Sequence, residues 1–153
     1  MRLRRPVAAL VSILVVLAAG CGGDAEEKNA YVDDVQVAQR AFVVRFEQVR
    51  KRLTPTSTIA QDRTSLGDFA TATATFVAAL GKIEPPVEVR DEHRGLVRAV
   101  ADYQEQVERA RAKLRDGSAP ARARVRTDLS SSVEGTQAKI TEAIGRINAG
   151  LRD

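Results

Sequence analysis

Residues 89–114 read V-R-D-E-H-R-G-L-V-R-A-V-A-D-Y-Q-E-Q-V-E-R-A-R-A-K-L, and the fold follows from where the apolar members of that stretch fall. Val89, His93, Leu96, Val100, Tyr103, Val107, Ala110 and Leu114 recur at alternating steps of four and three. At 3.6 residues per turn such spacing gathers the side chains into one stripe, the a/d seam by which a helix packs against other helices. A stripe of this kind is buried only against partners, and the chain supplies three more. Tyr31, Val35, Ala38, Phe42, Phe46, Val49 and Leu53 form one, and Ile59, Leu66, Phe69, Thr73, Phe76, Leu80 and Ile83 form the next. Val125, Leu129, Val133, Thr136, Ile140, Ile144, Ile147 and Leu151 complete the set.

The residues between the stripes act as punctuation. Thr54-Pro55-Thr56-Ser57 breaks the chain, and Thr58 with Gln61 has the spacing of a capping box. Pro85-Pro86 ends the second helix and is expected to supply the first turn of the third. Asp116-Gly117-Ser118 offers a glycine C-cap followed by a serine N-cap. Short connections make successive helices antiparallel, so the predicted fold is all-α: an up-down-up-down four-helix bundle over residues 29–153. Phe69 to Phe76, F-A-T-A-T-A-T-F, alternates with the period of a strand. The heptad passes through it unbroken and no other segment offers a partner strand, so the reading there is helix. The serines at 130–132 and Gly135 make the fourth helix the weakest.

Ahead of the bundle lies an address. Arg2, Arg4 and Arg5 precede an apolar run from Val7 to Leu17, and Ala18-Ala19-Gly20 leads into Cys21, the sole cysteine. That is the layout of a secretory signal, and the run is short of the about 20 apolar residues that span a bilayer. Leu-Ala-Ala-Gly-Cys at 17–21 resembles the lipobox of bacterial lipoproteins, with Leu17 one place further from the cysteine than in the commonest form. The resemblance implies cleavage before Cys21, acylation of its thiol with palmitate-like chains, and often acylation of the new amino end. The expected organisation is a signal at 1–20, a lipidated cysteine and short tether at 21–28, and the bundle beyond. The domain would stand on the outer face of the bacterial cytoplasmic membrane, each buried methylene of its anchor contributing about 0.8 kcal/mol.

Two longer segments, K-N-A-Y-V-D-D-V at 28–35 and I-E-P-P-V-E-V-R-D-E-H-R-G-L-V at 83–97, resemble segments of small actinobacterial lipoproteins. What this likeness implies is a helical, surface-anchored protein. It carries no activity, and no functional residue transfers through it.

The formal net charge of +4 overstates the basicity of the domain. The signal holds three of the 24 basic residues and none of the 20 acidic ones, which leaves 21 against 20. A nucleic-acid partner loses its main support. The remaining charge is unevenly spread. Residues 22–34 hold five acids and one base, and residues 82–94 four acids and three bases. Residues 45–63 hold five bases and two acids, and residues 108–128 seven bases and three acids. Folded up-down-up-down, the first two segments meet at the lipid end and the last two at the far end. Arg109, Arg111, Lys113, Arg115, Arg122, Arg124 and Arg126 are therefore candidate contacts for an anionic cell-wall polymer or an acidic protein.

Other constellations are weaker. His93, the one histidine, falls on the apolar seam, and the residue three before it is Arg90 rather than the Glu of a di-iron bundle. It reads as a satisfied seam residue, replaceable by leucine without loss of stability, and no metal or other cofactor is expected. Asp33-Asp34 and Asp91-Glu92 lie near helix starts, where they favour the macrodipole, and no G-x-S-x-G occurs. An enzyme is not expected. Gly67, Thr71, Ala74 and Ala78 form a small-residue outer face on the second helix, suited to close approach of another helix. The expected role is a non-enzymatic binding or structural module of the envelope. The alternative is a carrier of a small ligand or metal in the bundle core.

Overall fold

The computed structural model describes residues 23–52, 54, 56–114 and 119–152. Four helices make up the fold: α1 (Gly23–Arg50), α2 (Ile59–Leu80), α3 (Arg90–Lys113) and α4 (Ala119–Gly150). A 3-10 turn at Val87–Val89 leads into α3, and there is no strand among the described residues. Cys21 and the signal, like the Asp116-Gly117-Ser118 cap, lie outside the described residues.

The termini show which local signals operate. α1 is described from Gly23, within the span read as a tether. α2 opens on the expected capping box: Thr58 Oγ1 accepts from the Gln61 amide at 3.2 Å, and Gln61 Oε1 accepts from the Thr58 amide at 2.7 Å. It runs straight through Phe69–Phe76 and ends at Leu80, ahead of the two prolines. Pro86 caps the 3-10 turn, so the prolines precede that turn and do not form the first turn of α3. α3 carries Asp91 and Glu92 in its first turn and Arg111 and Lys113 in its last, both favourable placements. α4 is continuous through the serines at 130–132 and Gly135.

All eight stripe residues of the 89–114 stretch are buried. Seven of them, all but His93, divide between two clusters. The first joins Tyr31, Val32, Val35 and Ala38 of α1 to Leu80 of α2, Val89, Leu96 and Val100, and Ala143, Ile147 and Leu151 at the end of the chain. The second joins Phe42 and Val49 to Leu66, Phe69, Ala70 and Ala72, to Tyr103, Val107, Ala110 and Leu114, and to Val125. Phe76 packs against both. α2 packs on α1 and on α3, so it buries more than its seam: Asp62, Ser65, Ala70 and Ala72 are inside as well.

Gly150 permits one close approach. A Cβ there would stand 2.8 Å from Val89 Cγ1 and 3.4 Å from the Glu88 carbonyl oxygen, so glycine lets the last turn of α4 lie against the 3-10 turn.

Candidate functional site

His93 lies where three helices meet. Its Nε2 is 3.0 Å from the Leu80 carbonyl oxygen, and its Nδ1 is 3.0 Å from the Tyr31 hydroxyl. A carbonyl only accepts, so Nε2 carries the proton and Nδ1 accepts from Tyr31. The two rings meet edge to face, with centroids 5.6 Å apart. Burial disfavours the imidazolium and holds the His93 pKa below its ordinary value, against the smaller opposing effect of the Leu80 bond. Burial also pushes the Tyr31 pKa up, which keeps its hydroxyl a donor.

This geometry corrects one sequence-based expectation. His93 is buried and hydrogen-bonded, yet leucine is not an equivalent replacement. Leu80's oxygen would keep the Ile83 amide at 3.1 Å, but the Tyr31 hydroxyl, 2 % exposed with its residue, would lose its His93 acceptor. Both imidazole nitrogens are engaged, and no cluster of three metal-ligating side chains occurs among the described residues.

The basic segments meet at the other cluster. Arg52, just past α1, pairs with Asp68 of α2 at 2.8 Å. The Arg111 guanidinium of α3 lies across Gly67, 3.2 Å from where a Cβ would sit. Lys113 bridges to Asp128 of α4 at 2.9 Å. Arg109 reaches Glu105 at 3.2 Å, and Arg111 reaches Glu108 at 3.6 Å. Arg124 is exposed, Arg115 lies outside the described residues, and so do the side chains of Arg122 and Arg126. The sequence reading missed these ion pairs. The i,i+3 and i,i+4 ones were legible from spacing; Arg52–Asp68 and Lys113–Asp128 depend on how helices meet. Such exposed pairs contribute about 0–1 kcal/mol each and exchange readily for another anion.

The small-residue face is less open than expected. Thr71 and Ala78 are exposed and Gly67 and Ala74 are half-buried, with the Arg111 guanidinium lying across Gly67. A second feature escaped the sequence reading. Ser57 Oγ lies against both the Thr54 carbonyl oxygen and Asp62 Oδ1, which ties the α1–α2 connection to the first turn of α2. No described helix is long and apolar enough to cross a membrane. Comparison with known protein families, curated proteins and solved structures finds no match to this chain.

Proposed function

We propose that the chain is a lipid-anchored module of the bacterial envelope, held at the outer face of the cytoplasmic membrane through Cys21 and acting by binding rather than catalysis. Its four helices run up, down, up and down, with the acidic pole at the anchor and the basic pole presented to the wall. The observation that carries this reading is the set of contacts among Arg52, Asp68, Gly67, Arg111, Lys113 and Asp128, which gathers the 45–63 and 108–128 segments at one end of the core. Tyr31, Leu80 and His93 gather the start of α1, the end of α2 and the start of α3 at the other.

The 24 residues of α3 extend about 36 Å, several Debye lengths at physiological salt, so the two poles do not neutralise each other. Anionic lipid repels the near pole and favours an upright bundle. An anionic wall polymer or an acidic protein is the partner such a tip would take. The carrier alternative draws less support. His93 has no idle ring nitrogen, and stacked phenyl rings occupy the aromatic half of the core, Phe42 and Phe76 lying 4.9 Å apart.

The test uses the full chain and a triple variant, Arg122→Glu, Arg124→Glu and Arg126→Glu, on immobilised anionic wall polymer. The variant should be retained less, with its helical circular dichroism unchanged, and rising salt should release the native chain. Equal retention of the two at low salt overturns the proposal.

A further inference from the structure

Lys51, Arg52, Gln61, Thr64 and Ser65 are among the residues that line an open depression of about 600 Å³. Its available groups are donors. Lys51 is exposed, and the acid its charge acts on, Glu47, is already bound by Arg50. Arg52 engages Asp68 through one terminal nitrogen. Gln61 has its carbonyl oxygen on the Thr58 amide, which leaves its NH₂ for a ligand. Asp62, the nearest acid in sequence, is buried beside Ser57 and is not part of the lining.

Ser65 is the decisive member. It is 2 % exposed, lines the floor of the depression, and makes no hydrogen bond among the described residues. A hydroxyl so placed is free to donate to a group that enters the depression. Two cations, an amide NH₂ and a hydroxyl therefore line one depression. A tetrahedral phosphate accepts over a wide solid angle and matches such a set better than a planar carboxylate. The volume lies within the range of small-ligand sites.

We infer that this depression binds a phosphate group of an anionic polymer, with Lys51 and Arg52 opposing its charge and Gln61 and Ser65 donating to its oxygens. The inference rests on the basic end being the polymer-binding end, and it names the chemistry of that polymer and the point of attachment.

The experiment titrates the full chain, in mild detergent, with a glycerol-phosphate oligomer, with polygalacturonate, and with vesicles of phosphatidylglycerol. Lys51→Glu should weaken oligomer binding by about tenfold or more and Ser65→Ala by about two- to tenfold, both with native helical content. Lys51 is exposed, so its variant keeps the test independent of folding. If both variants bind the oligomer as the native chain does while the Arg122, Arg124 and Arg126 triple variant does not, the depression is overturned and the basic-end reading stands. Tighter binding of polygalacturonate overturns the phosphate assignment alone. Vesicles competing as well as the oligomer overturn the polymer as the source of the phosphate. Failure of every probe to bind overturns both readings.

Discussion

Around Leu80, Val89, Leu96 and Ile147 the core is mainly aliphatic, with Tyr31 and His93 set in it, whereas around Phe42, Phe69 and Tyr103 it is mainly aromatic. The two halves achieve order by different means. Aliphatic side chains fill space without preferring a direction, and the hydrogen bonds from His93 to Tyr31 and Leu80 supply the direction that fixes how three helices meet there. In the other half the rings set their own geometry. Phe69 lies 5.2 Å from Phe46 and meets Tyr103 edge to face at 5.5 Å, while Phe42 stacks on Phe76. The glycines differ in the same sense. Gly150 abuts Val89 and the backbone at Glu88, which cannot yield, while Gly67 abuts the far end of a flexible arginine. The half around His93 is therefore specified by a few rigid contacts, and the basic half by area and adaptable charge.

The largest expected effect tests the aromatic half. Phe69→Ala removes a buried ring that touches three others and should cost about 3–5 kcal/mol in denaturant unfolding. A loss below 1 kcal/mol would show that the ring cluster is not what holds that half. His93→Leu comes next, at about 1–3 kcal/mol, because it leaves the Tyr31 hydroxyl buried without its acceptor. Adding Tyr31→Phe should recover part of that loss, and additive losses would mean that the bond does not couple α1 to α3.

The same site sets a pH dependence. Burial lowers the His93 pKa, so the contribution of the neutral ring is fully present above its unfolded value of about 6.5. It is lost as pH falls through the lower folded value. Unfolding measured from pH 7.5 to 5 should show a decline that His93→Leu flattens, and parallel curves would contradict the assignment. The smallest effects compare the glycines. Gly150→Ala should cost about 1–3 kcal/mol through the Val89 overlap, whereas Gly67→Ala should change stability by less than about 1 kcal/mol, since helix propensity offsets a shifted Arg111. Equal costs would erase the contrast between rigid and adaptable ends.

Much of the fold was legible because heptad spacing is a local property. Every stripe position from Val89 to Leu114 is buried, and the Thr58–Gln61 box caps α2. What spacing cannot supply is which stripe faces which. Tyr31 and His93 both sit on a seam, but their bond spans 62 residues and depends on the lateral arrangement of helices. Ala70 and Ala72 escaped for a related reason: a helix packed on two sides buries a wider face than one seam predicts. At the basic end the charges themselves were readable, but Arg111 over Gly67 and Ser65 at the floor of a depression arise only when α2, α3 and the α1–α2 connection come together. Thr54-Pro55-Thr56-Ser57 signalled a break, while Ser57 reaching Asp62 depends on how that break folds back.

We propose that Cys21 carries the anchor and that the bundle stands outside the cytoplasmic membrane. The most direct measurement feeds cells a clickable palmitate analogue and fractionates those making the native chain or Cys21→Ser. The account predicts label on the native chain in the membrane fraction, and no label on Cys21→Ser, which should appear in the soluble exported fraction. Cys21→Ser protein that stays with the membrane after a high-salt wash, or that keeps the label, would contradict it.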